Sequence, residues 1–130
     1  MERQGKRRRD IHFKSSKNDS TYCTHTELAR EYARLLEANT EVEAYEVEVE
    51  LDQEIFPYIP RVDIRKEYFE GAWVSDFVIR YMNGTIAVRE IVTEEMLSKR
   101  AVIEKLEFSR RYWALSKIDN WKIVVMEKEV

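Results

Sequence analysis

Two strand-forming runs, residues 73–81 and 85–92, flank Met82-Asn83-Gly84, and no other feature of the chain restricts its fold as much. Asn-Gly between β-forming runs is a strong hairpin signal. A three-residue loop of Met82-Asn83-Gly84, with Gly84 left-handed, pairs Tyr81 with Thr85. Counting back along both strands, Asp76 then lies opposite Glu90, and Val92 projects from the same face two residues on. A two-residue Asn-Gly turn would instead put Asp76 opposite Ile91 and turn Glu90 to the other face. One turn thus decides whether two carboxylates meet. If they do, the pair can hold a hard cation such as magnesium, which prefers oxygen ligands and activates water for phosphodiester attack. The plainer reading is that Asp76 caps or pairs with Arg89 or Arg110, and that Glu90 ends a strand exposed to water.

The remaining elements follow from period. Thr24 and Glu27 form a capping box, and Leu28, Tyr32, Leu35 and Leu36 recur at helical spacing to about Glu37. Over residues 42–51, Val47, Val49 and Leu51 alternate with Glu46, Glu48 and Glu50, the pattern of an edge or near-edge strand. Pro57 and Pro60 mark a loop, and residues 61–71 are ambiguous between a short strand and irregular structure. Thr93, Glu94 and Glu95 open a long helix to about Ser116, their acids matching the helix dipole, and residues 121–126 form a last strand. The order α-β-β-β-α-β predicts an α/β fold, a mixed sheet flanked by helices.

At 130 residues the chain has room for a single domain, residues 18–130, behind a basic arm, residues 1–17. The net charge of −3 conceals this asymmetry: the arm carries seven Lys or Arg against two acids, a balance of +5, which leaves −8 on the body. Such an arm can contact phosphate, with Arg7, Arg8 and Arg9 as DNA-binding candidates; a solvated tail is the alternative. The lone Cys23 rules out an internal disulfide and a cysteine-based zinc site, and suits a reducing cytoplasm. No stretch approaches the roughly 20 apolar residues of a membrane span, and no apolar segment follows the basic start, so a cytoplasmic protein without membrane partners is expected.

Three stretches, ELAREYARLLEANTEVEAYEVEV, WVSDFVIRYMNGTIAVREIV, and EKLEFSRRYW with the later WKIV, together resemble the catalytic domain of the TnsA endonucleases of heteromeric bacterial transposons. They cover about the C-terminal four-fifths of the chain. The resemblance implies a restriction-endonuclease-like fold and magnesium-dependent cutting of DNA at transposon ends, beside a transposase subunit and an ATPase regulator. It implies an Asp at Asp76 and a Glu or Gln at Glu90. The lysine of that pattern falls on Val92 and the Glu of the first helix on Ala29, neither of which can do that chemistry.

Substitutes stand nearby. His25, Glu27 and Glu31 surround Ala29 on the first helix. Lys99 falls on the same helical stripe as Ile103, Leu106 and Trp113, facing the sheet near the end of the Glu90 strand, which makes it a candidate catalytic lysine. The bland alternatives are a Lys99 that snorkels to water and a His25 with a local hydrogen bond. In the run Arg110-Arg111-Tyr112-Trp113, spacing turns the tryptophan inward and leaves the arginines to pair with the acidic strand. Two functions result: a metal-dependent endonuclease subunit using Asp76, Glu90 and Lys99, or a catalytically degenerate relative that binds DNA or assembles a complex.

Overall fold

The computed structural model describes residues 11–15, 20–24 and 27–127. Strand β1 (Ile11–Ser15) pairs antiparallel with β2 (Ser20–Thr24), two strands not expected ahead of the first helix. Helix α1 (Glu27–Ala38) follows, then β3 (Val42–Glu50), β4 (Val74–Tyr81), β5 (Ile86–Val92), helix α2 (Arg100–Leu115) and β6 (Trp121–Val125). The main sheet has the order β3-β4-β5-β6. Its first two pairings are antiparallel and the last is parallel, reached through α2, so the fold is a mixed α/β arrangement with β3 at one edge. No helix among the described residues is long and apolar enough to cross a membrane.

Each face of the sheet has its own helix. On one, Ala33 and Leu36 of α1 pack over Val42, Tyr45, Phe77, Ile79, Ala87 and Ile91. On the other, Phe108, Tyr112 and Trp113 of α2 join Val88 and the loop residues Leu51, Phe56, Ile59, Ile64 and Tyr68. Covered on both sides, β5 is buried from Ala87 to Val92. Residues 61–71, which follow no period, are held by these tertiary contacts: Lys66–Phe69 is a 3-10 turn that plants Tyr68 in the core.

The hairpin has the three-residue loop. Tyr81 N–H donates to Thr85 O at 2.9 Å, and Gly84 N–H to Tyr81 O at 2.9 Å, with Gly84 at φ 89°. Phe77 faces Arg89 and Arg80 faces Ile86, the register in which Asp76 comes opposite Glu90. A Cβ on Gly84 would meet nothing within 4 Å, so only its left-handed backbone resists substitution. Gly84→Ala is expected to lower stability by about 1 kcal/mol in urea titrations, without altering the register.

The second helix is shorter than its pattern. Thr93 Oγ1 accepts the Met96 N–H at 3.2 Å and starts a separate 3-10 turn, Met96–Ser98, and Lys99 is extended (φ −101°, ψ 127°) before α2 begins at Arg100. Ile103 is 46% exposed while Ser109 and Tyr112 are buried, so the inward stripe is rotated from the one that spacing implied.

One backbone irregularity shapes the centre of the molecule. Val47 packs on the α1 side, yet Val49, two residues on, packs on the α2 side. Between them Glu48 is left-handed at φ 50°, which turns the strand over. Opposite, Phe77 faces α1, whereas Ser75 bonds to residues of α2. Asp76 occupies the crossover.

Candidate functional site

At that crossover the backbone ladder between β4 and β5 ends with Phe77 and Arg89. The next pair continues it with side chains. Ile91 N–H donates to Asp76 Oδ2 at 2.8 Å, and Asp76 N–H donates to Glu90 Oε1 at 3.2 Å. Each carboxylate thus satisfies a backbone amide released where the strands part, which is why acids stand at these two positions. The Asp76 side chain does not pair with Arg89 or Arg110. Arg89 bonds to the carbonyls of Val88 and Asn120 and the Asn120 side chain, and Arg110 to Glu107.

Glu90 is 1% exposed and turns towards α2, where Ser109 Oγ donates to its Oε2 at 2.6 Å. Two more buried groups stand behind Ser109: Ser75 Oγ lies 3.2 Å from Ser109 Oγ and accepts the Trp113 indole N–H at 2.9 Å. Trp121 Nε1 donates to Ser109 Oγ at 3.0 Å. Burial, and then the Glu90 charge, push the Asp76 carboxyl up from 3.8 to about 6; the Ile91 N–H and the Lys105 charge pull it partly back, and Glu48 adds a smaller upward push.

Among the described residues, Lys105 is the cation that acts on Asp76. It sits one helical turn before Ser109, and its Nζ donates to Val74 O at 3.2 Å, two residues from Asp76 in the chain. Lys99, expected in this role, lies instead on extended backbone outside the helix with an exposed side chain. The correction comes from the late start of α2: without helical geometry at Lys99, the spacing that aligned it with Leu106 and Trp113 does not apply. Trp113 does face the core, but Arg110 and Arg111 bond to Glu107 on their own helix rather than to the acidic strand, and Arg111 also reaches the carbonyls of Pro60 and Val62.

The other expected residues are dispersed. Ala29 packs against the α1-side core, and Glu27 and Glu31 are exposed, Glu31 lying 4.0 Å from Arg34. Arg7, Arg8, Arg9 and His25 lie outside the described residues. Val92, where the expected pattern would have a lysine, is 3% exposed. Sequence reasoning missed Ser75, Ser109 and Lys105. The signal was a small polar residue set among inward-facing apolar ones on two elements that pack together, with Lys105 four residues from the second.

Among the described residues no three His, Cys, Asp or Glu side chains gather as a metal cluster. The donor chemistry at Asp76 and Glu90 still suits magnesium or manganese, which take one or two protein carboxylates and fill the remaining positions with water and substrate oxygens. Each carboxylate has one firmly held oxygen, Asp76 Oδ2 and Glu90 Oε2. Glu90 Oε1 has only the long bond from Asp76 N–H, and Asp76 Oδ1 has no hydrogen bond among the described residues. No known protein family and no characterised protein matches this sequence.

Proposed function

We propose that this chain is a TnsA-like domain of the restriction-endonuclease type, a metal-dependent DNA endonuclease subunit that works beside a transposase subunit and an ATPase regulator. The observation that carries this reading is the meeting of Asp76 and Glu90 where β4 and β5 part, with one oxygen of each anchored, Glu90 Oε1 lightly engaged and Asp76 Oδ1 without a hydrogen bond among the described residues. Those two carboxylates would hold the cation, and Lys105 is the nearby positive charge in a chain whose motif lysine is Val92. A bound magnesium ion supplies an activated water and neutralises charge on the scissile phosphate. Within this reading, the protein's own part is to keep the carboxylates fixed and to place the Lys105 ammonium near the phosphate, where charge stabilisation acts only at close contact. Arg7, Arg8 and Arg9 would add affinity for the DNA backbone.

A second reading, a catalytically degenerate module that binds DNA or assembles a complex, is favoured by one observation: both Glu90 oxygens accept internal hydrogen bonds, with Val92 buried beside them. A nicking assay on supercoiled plasmid separates the two, run with magnesium and with manganese on wild type, Asp76→Ala and Lys105→Ala. The endonuclease reading expects wild type to nick, both variants to lose at least about a hundredfold in rate, and Lys105→Ala to retain metal binding. Nicking that survives Asp76→Ala would sink the site, and no nicking by wild type, even with transposase present, would favour the module.

A further inference from the structure

The buried groups behind Glu90 have a direction. A serine hydroxyl carries one proton, and that of Ser109 is spent on Glu90 Oε2 at 2.6 Å. In the 3.2 Å contact between the two serines, Ser75 must therefore be the donor. Its lone pairs are free to accept the Trp113 indole N–H, which can only donate. Trp121, also donor-only, delivers its N–H to the same Ser109 oxygen. Every proton in the network points one way, from Trp113 through Ser75 to Ser109, and from Trp121 to Ser109, ending on one oxygen of Glu90. Such chains polarise each member in turn and strengthen the last bond. Ser75, Ser109 and Glu90 are 0%, 2% and 1% exposed, so the network is shielded from bulk solvent.

Stability alone is a poor account of this arrangement. Burying a carboxylate is costly, and apolar residues of the same volume commonly serve a core as well or better. What the network does achieve is orientation. With Oε2 pinned against α2, the Glu90 carboxylate cannot rotate, and Oε1 is left towards Asp76, whose N–H touches it at 3.2 Å.

The geometry points to Ser109 as the positioning residue of the carboxylate pair: backed by Ser75, Trp113 and Trp121, it fixes the Glu90 carboxylate so that Oε1 is presented beside Asp76 for a divalent cation. The cation half of this statement rests on the metal-site reading above; the orientation half does not. Groups of this kind, one bond removed from the metal, typically change its affinity by about 10–100-fold.

The test uses the full chain and two readouts. In metal-free protein, exchange of the Asp76 amide proton reports whether Oε1 stays in place. Ser109→Ala is expected to speed it at least about tenfold relative to the amides of β5, while Ser109→Thr, which keeps the hydroxyl, restores protection. Manganese binding, followed by electron paramagnetic resonance, should weaken about tenfold or more in Ser109→Ala, and less in Ser75→Ala, where Trp121 still supports Ser109. Should Ser109→Ala destabilise the fold, comparison with Ser109→Thr at matched folded fraction isolates the hydroxyl. Unchanged Asp76 exchange in a folded Ser109→Ala protein overturns the inference, as does unchanged manganese affinity. Wild type that binds no manganese overturns the metal-site reading, and the exchange measurement then decides the orientation by itself.

Discussion

Asp76→Asn is expected to be more stable than wild type at pH 7.5 in the presence of a chelator, by about 2 kcal/mol. The folded chain holds the Asp76 proton more tightly than the unfolded chain, because burial and the Glu90 charge raise the carboxyl from 3.8 to about 6. An acid shifted upward works against stability as it ionises. The contribution of Asp76 is most favourable below the unfolded value, falls as pH rises from about 4 to about 6, and stays lost above that. At about 1.4 kcal/mol per pKa unit the full loss approaches 3 kcal/mol, reduced here because the side chain is only partly buried. Asparagine removes the charge and keeps an oxygen for the Ile91 N–H. Urea unfolding at pH 4.5 and pH 7.5 should show wild type losing stability between the two and the variant losing less. Manganese should then reverse the order, because a cation that binds only the folded wild type stabilises it by mass action. A variant less stable than wild type at pH 7.5 without metal would mean that the carboxylate holds the strands together and carries no stored penalty.

Phe108→Ala is expected to cost about 3–5 kcal/mol, enough to leave a domain of this size at the margin of folding. Phe108 is 1% exposed and makes edge-on contacts with Phe56 at 4.8 Å and Phe69 at 5.2 Å, with Tyr68 6.4 Å away. Those rings come from the irregular segment between β3 and β4, which α2 holds against the sheet. The substitution should lower the urea midpoint sharply, and should free the amides of Ile59, Tyr68 and Glu70, which bond only within 3-10 or single-turn geometry, before those of β5. A loss under 1 kcal/mol would show that the cluster does not hold the segment in place.

These cases show which parts of the molecule the sequence made readable. The hairpin register depends on local turn chemistry, Gly84 at positive φ, and so the encounter of Asp76 with Glu90 followed from counting. That residues 42–50 form a strand and that Trp113 turns inward came likewise from period, although Val47 and Val49, expected on one face, pack on opposite faces. Residues 61–71 did not, because Ile64, Tyr68 and Phe69 are placed by α2 rather than by neighbours in the chain. Lys99 was misplaced because a helical wheel assumes an unbroken helix, while Thr93 diverts the chain into a 3-10 turn first. Ser75 and Ser109 are 34 residues apart and show their purpose only when β4 and α2 pack together. The left-handed Glu48, which turns β3 over opposite Asp76, left no mark in an otherwise regular alternation.

The loop Met82-Asn83-Gly84 is fully on the surface, the kind of place where added residues are usually harmless. Here its length is a measuring device. Lengthening the loop by one residue and re-pairing the strands would present Arg89 to α2 and Glu90 to α1, burying a guanidinium where Ser109 now meets a carboxylate. The most exposed segment of the hairpin is therefore among those least able to change in length, and a tag or epitope is better carried elsewhere.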